Sequence, residues 1–96
     1  MSEGKKFDTG KLRYDLIPLE ALEGLADILT FGAQKYSENN WKDVERAEDR
    51  YYAALLRHLF ASRKGEKSDP ESGKSHLHHA ITNLAFLIWK EAQCSS

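Results

Sequence analysis

Ninety-six residues suffice for one domain, and 41% apolar content is enough to give it a core. Fourteen basic against fifteen acidic side chains leave a net charge of −1, which argues against the strong positive field of a duplex nucleic-acid binder. No apolar run approaches the roughly 20 residues needed to cross a bilayer, and a single cysteine, Cys94, builds no disulfide framework.

These features predict a reducing cytoplasm, with Cys94 as an exposed tail thiol. The polar start, Met1 to Lys6, leads into no apolar signal core. Small domains bury a lower fraction of their surface than large ones, so association of copies is the expected source of added stability.

Residues 1–17 read as an extended arm ahead of a helical core over 18–93, the whole forming one domain. Asp8-Thr9-Gly10 is a turn signal, because Asp bonds the local backbone and Gly accepts positive φ. Leu12, Tyr14 and Leu16 alternate with Arg13 and Asp15, which predicts a short strand or a segment draped over helices. Pro18 suits a first helical turn, where its missing N–H costs nothing.

The spacing predicts a first helix from Leu19 to Tyr36, with Leu19, Leu22, Ala26, Leu29 and Ala33 as its buried stripe. Gly24 and Gly32 each cost roughly 1 kcal/mol inside a helix, which points to close approach by another backbone or a ligand. A polar connector, Ser37 to Lys42, follows. A second helix is predicted from Val44 to Lys64, burying Tyr52, Leu55, Leu56, Leu59 and Phe60. Glu45, Glu48 and Asp49 suit the positive end of its dipole.

Gly65 to Lys74, with two glycines and a proline, reads as a loop. The third predicted helix, Ser75 to Gln93, is apolar on almost every side between Ala80 and Trp89. Three helices cannot cover such a helix, so self-association through residues 75–93 is expected. The fold class is all-α: a small three- to four-helix bundle with an N-terminal arm, assembled as a homo-oligomer.

Four constellations carry chemistry. The connector GAQKYSENNW, Gly32 to Trp41, joins a cation (Lys35), two rings (Tyr36, Trp41) and two amides (Asn39, Asn40). A nucleotide needs these groups for phosphate, base and ribose; the plainer alternative is that the rings cap the core. Arg57-His58 interrupts an apolar stretch, offering a fork to phosphate and a neutral-pH donor or acceptor, or else a snorkelling arginine beside a satisfied histidine.

His76, His79 and Asn83 fall at i, i+3 and i+7 on one helix face, with His78 off that face and expected to be exposed. A zinc site needs three or four close ligands, and the two histidines with Asp69 or Glu71 supply suitable types. The asparagine favours hydrogen bonding to a ligand, and a helix N-terminus attracts anions. Finally, Glu20, Glu23 and Asp27 form a carboxylate row that either holds Mg²⁺ or is an ordinary solvated face.

The ordered segments KFDTGKLRYDLIP, GAQKYSENNW, LLRHL and DPESGKSHLHHAITNLAFLIW resemble the phage dATP/dGTP diphosphohydrolase N-terminal domain family from about Lys6 to Trp89. That family is related to the all-alpha, MazG-like NTP pyrophosphohydrolases. The resemblance implies purine deoxynucleotide chemistry and helix-borne carboxylates that bind Mg²⁺. Glu20 and Glu23 match the first Glu-x-x-Glu pair of the MazG-like signature. For the second pair, Glu45-x-x-Glu48 has the wrong last residue, and Glu66-x-x-Asp69 falls in the loop. The family-like segments contribute binding groups instead: Arg13, Tyr14, Lys35, Tyr36, Asn40, Trp41, Arg57, His58, His76, His79 and Asn83.

The leading expectation is a stand-alone protein that captures a phosphorylated purine nucleotide without a cofactor, sequestering a signal such as a host cyclic defence messenger. Lys35, Arg57 and Arg13 would hold phosphate. Trp41, Tyr36 or Tyr14 would stack on the ligand, and His76, His79 and Asn83 would orient it. The alternative is a Mg²⁺- or Mn²⁺-dependent dATP/dGTP diphosphohydrolase releasing monophosphate and pyrophosphate, its metals held by Glu20, Glu23, Asp27 and Asp69. A third reading is a helical interaction module. The sequence singles out no catalytic residue.

Overall fold

The computed structural model describes residues 9–94, with side chains to Gln93. The start of the arm and the Cys94 thiol lie outside the described residues. Among the described residues three helices form the fold: α1 (Leu19–Lys35), α2 (Ala47–Arg63) and α3 (His76–Cys94). None is long and apolar enough to cross a membrane.

Where a strand was one expectation, Tyr14–Leu16 makes a 3-10 turn closed by the Ile17 N–H on the Tyr14 carbonyl. Among the described residues no strand pairs with this segment, and Leu12, Tyr14 and Leu16 stay exposed. The second helix starts three residues later than its spacing suggests. Asn39 (φ 62°) opens a second 3-10 turn at Asn40–Asp43, Val44 is extended, and Arg46 (φ 54°) is left-handed. Helical dihedrals begin only after that second left-handed residue.

The end of α2 is set by Gly65. Its φ of 107° lets the Glu66 N–H return to the Ala61 carbonyl and its own N–H to Ser62, a Schellman closure. The following loop is tied into a small hairpin. Ser68 and Ser75 form an isolated bridge, the Asp69 N–H meets the Lys74 carbonyl at 2.8 Å, and Gly73 (φ 74°) makes the turn. Ser75 then caps α3, its hydroxyl accepting the Leu77 N–H at 3.1 Å.

Central α3 packs against α2 along one side and α1 along the other. Its contact with α1 runs through Gly24 and His78. A β-carbon at position 24 would lie 2.4 Å from the His78 ring. His78 is therefore partly buried against α1, not on an exposed face as its position in α3 suggested.

The buried faces of α1 and α2 also differ from the expected ones. In α1 the inward row is Ala21, Gly24, Leu25 and Ile28, while Leu19, Leu22, Ala26 and Leu29 face outward. In α2 the inward row is Tyr51, Ala54, Leu55, His58 and Ala61, while Tyr52, Leu56, Leu59 and Phe60 are exposed. Small residues win because they permit close helix approach, and the oilier rows are left outside. On α3, Leu77, Leu84 and Ile88 are exposed too, so its apolar centre is not covered on every side. The radius of gyration is 16.7 Å, against about 13 Å for a compact 100-residue domain.

Candidate functional site

An open cleft of about 1070 Å³ lies between the C-terminal half of α1, the connector, α2, the hairpin loop and α3. It gathers Lys35, Tyr36, Asn40 and Trp41 from the connector region, Arg57 and His58 from α2, and His79 and Asn83 from α3. Side chains drawn from three separate sequence segments thus share one hollow.

Three of the expected residues lie elsewhere. The Arg13 guanidinium pairs with Asp15 two residues away, both bonds at 2.8 Å, on an exposed turn. Tyr14, beside it, is also exposed and off the cleft wall. The segment stays out because it packs no apolar side chain inward. His76 is 4% exposed and lies behind the wall.

The two expected rings behave differently. Trp41 stacks on Phe86 at 4.6 Å and 15°, meets Trp89 edge-on at 5.0 Å, and has the Lys42 ammonium 5.4 Å from its ring centre. Its carbonyl accepts the Tyr51 hydroxyl at 2.6 Å. Burial pushes the Tyr51 phenol up, against the smaller opposing effect of Arg50. Trp41 is thus locked into the α2–α3 aromatic cluster, with its stacking face used. Tyr36 is 64% exposed, with the Lys35 ammonium 5.2 Å from its ring centre. Of the two rings it is the more open to solvent.

The α3 edge is organised by two hydrogen-bond relays. In one, His76 Nε2 donates to the Glu66 carboxylate at 2.7 Å, and His76 Nδ1 lies 2.8 Å from His58 Nδ1. With one proton on His76, His58 must donate from Nδ1, which leaves its Nε2 as the lone-pair nitrogen. In the other, the Ser72 hydroxyl donates to Asp69 at 3.1 Å, accepts the Lys74 N–H at 3.1 Å, and meets His79 Nε2 at 2.7 Å. A hydroxyl has one proton to give, and Asp69 takes it, so His79 donates from Nε2.

The rings of His58 and His79 stack at 4.5 Å and 9°. Burial holds both imidazoles below their ordinary range. For His58 the neighbouring His79, His76 and Arg57 add to this, opposed by Asp69. For His79, Asp69 opposes the burial, while His76, Lys74 and His78 reinforce it. Burial raises Asp69, but the Ser72 hydroxyl, the Glu71 and Ser72 amides and His79 together bring its carboxyl below the usual range. The wall is therefore neutral imidazole backed by ionised carboxylate.

Sequence reasoning overlooked Arg50, which lines the cleft one heptad before Arg57. The i, i+7 spacing with Ala53 and Ala54 between was the available signal: two cations flanking a small-residue dip in one helix face. Gly32 also lines the cleft, with open space where its β-carbon would be.

The carboxylates expected to hold a divalent ion are not brought together. Asp27 pairs with Lys74 at 3.0 Å, Asp69 is engaged by Ser72 and His79, and Glu20 and Glu23 are exposed on α1. Among the described residues no three His, Cys, Asp or Glu side chains are placed to share one ion. The zinc grouping fails similarly, because both ring nitrogens of His76 are engaged, by Glu66 and His58, behind the cleft wall. This donor set does not fit a metal centre.

The family described as dATP/dGTP diphosphohydrolase, N-terminal, matches residues 1–95. A relative from Salmonella phage PMBT28, named dATP/dGTP diphosphohydrolase, is 36% identical over 86 residues. The match covers 90% of this chain but 29% of the relative, so the chain spans less than a third of that protein's length. No solved structure matches. The chain belongs to the dATP/dGTP diphosphohydrolase N-terminal family.

Proposed function

We propose that the cleft binds a purine deoxynucleoside triphosphate and orients it for diphosphohydrolase chemistry, yielding monophosphate and pyrophosphate. The observation that carries this reading is the convergence of Lys35, Arg50 and Arg57 with the Tyr36 ring and the His79–Asn83 edge in one hollow. Cations suit the phosphates, an exposed ring suits a base or sugar, and the volume suits a nucleotide. Because this chain's carboxylates do not gather around one ion, the role assigned to its residues is binding and orientation.

The expectation of stand-alone capture, including sequestration of a cyclic defence messenger, gives way to this reading. Both the family and the phage relative bear the hydrolase name. Calorimetry with dATP and dGTP, followed by a pyrophosphate-release assay with Mg²⁺ or Mn²⁺, tests the proposal. Saturable binding of both purine triphosphates is the expected result; no binding of either overturns it.

We also infer that a second copy covers the outward rows. Tyr52, Leu56, Leu59 and Phe60 on α2 and Leu77, Leu84 and Ile88 on α3 are exposed apolar residues on packed neighbours. Helices that show their oilier rows to solvent, in a chain with so wide a radius of gyration, fit one protomer of a larger assembly. Light scattering should give a mass above the 11.0 kDa of one chain. L56E combined with I88E should return it to that value, and a wild-type mass of one chain would refute the inference.

A further inference from the structure

The inner wall of the cleft presents hydrogen-bond acceptors without matching donors. His79 donates from Nε2 to Ser72, whose own proton is committed to Asp69, so His79 Nδ1 carries the lone pair. One helical turn later, the Asn83 amide nitrogen donates to the His79 carbonyl at 2.8 Å. That bond fixes the amide's orientation, and Asn83 Oδ1 is left as acceptor. Among the described residues neither His79 Nδ1 nor Asn83 Oδ1 has a hydrogen-bond partner, and no fully buried side-chain polar atom lacks one, so neither atom is sealed off from solvent. His79 and Asn83 both line the cleft, and the stacked His58 ring holds the His79 plane in place.

We propose that His79 Nδ1 and Asn83 Oδ1 form an acceptor pair that reads the N–H-bearing edge of an amino-substituted nucleobase. A phosphate, itself only an acceptor, is repelled by such a wall and goes to Lys35, Arg50 and Arg57. The bound nucleotide therefore lies with its base against α3 and its phosphates toward the cations. Guanine suits the pair best, because its imino N–H and amino group present neighbouring donors. Ser72 and Asp69 are positioning residues: they fix which ring nitrogen of His79 faces the ligand. This assignment rests on the nucleotide reading of the cleft.

Two measurements test it. In the free protein, nitrogen-15 spectra of the histidines should show His79 as the Nε2–H tautomer; an Nδ1–H tautomer overturns the proposal without any ligand. In calorimetry, dGTP should bind about tenfold or more tightly than dITP, which lacks only the 2-amino group. N83L and H79F should each weaken dGTP: the one that removes the amino group's acceptor should bring dGTP and dITP to near equality, and the one that removes the imino N–H acceptor should weaken both. Equal binding of dGTP and dITP by the wild type overturns the acceptor pair while leaving the nucleotide site standing. No binding of dGTP, dITP or dATP overturns the nucleotide reading and the pair with it.

Discussion

Gly24 on α1 and His78 on α3 meet so closely that a methyl group at position 24 would fall 2.4 Å from His78 Cδ2 and 2.6 Å from its Cγ. The clash involves the root of the ring as well as its far edge, so His78 cannot relieve it by a small tilt. G24A should therefore destabilise the protein by about 1–3 kcal/mol through forced repacking, despite alanine's better helix propensity. Gly32 is the control, because open space surrounds its β-carbon position. G32A should stabilise by up to about 1 kcal/mol. Urea denaturation of the two variants checks both signs.

Acid should weaken the fold through the histidine pair. His58 and His79 sit below the ordinary value of 6.5, so the unfolded chain takes up protons that the folded chain refuses. Their contribution is fully present above pH 6.5 and is lost as pH falls through the depressed folded-state values. Melting temperature should be level above about pH 7 and drop by several degrees or more toward pH 5. H58Q should flatten that slope. Asp69, whose carboxyl is also below its ordinary range, acts in a separate window beginning near pH 3.8.

The cations of the cleft can be separated from the cation of the arm. K35A and R57A should each weaken purine triphosphate binding by about tenfold or more, the usual scale for a charge-assisted phosphate contact. R13A should leave binding unchanged, since Arg13 is engaged by Asp15 away from the cleft. Calorimetric titrations of the three variants decide the matter.

Tyr36 and Trp41 should respond oppositely to truncation. W41A removes a ring packed on Phe86 and Trp89 and should cost about 2–4 kcal/mol of stability. Y36A removes an exposed ring, so stability should change by less than about 0.5 kcal/mol while nucleotide affinity falls. Thermal melts paired with binding assays distinguish the two.

Helix number, order and approximate ends were readable because apolar periodicity, Pro18, Gly65 and Ser75 all punctuate the chain locally. Which face of each helix turns inward was not. α1 and α2 each carry two rows able to face a partner, and the choice fell to the smaller side chains at Gly24, Ala54 and Ala61. That preference depends on interhelix distance, which periodicity does not encode. The connector, Arg57, His58, His79 and Asn83, which line the cleft, stood out in the sequence because their residue types are out of place on an apolar pattern. Arg13 and Tyr14 were not excluded, because nothing in the arm's sequence reveals that Arg13 pairs with its near neighbour. The relays through Glu66 and Ser72 depend on the hairpin's exact closure, which is a matter of three-dimensional register.

The helices α2 and α3 follow one another through the bridged hairpin and pack together, whereas α1 packs on α3 from the other side. Lys35 belongs to α1 and Asn83 to the α2–α3 unit, so the hollow exists only while α1 is docked. An occupant touching both walls acts as a clamp on that docking. Amide protons of α1 should then exchange with solvent more slowly when the hollow is filled, with the α2–α3 hairpin far less affected.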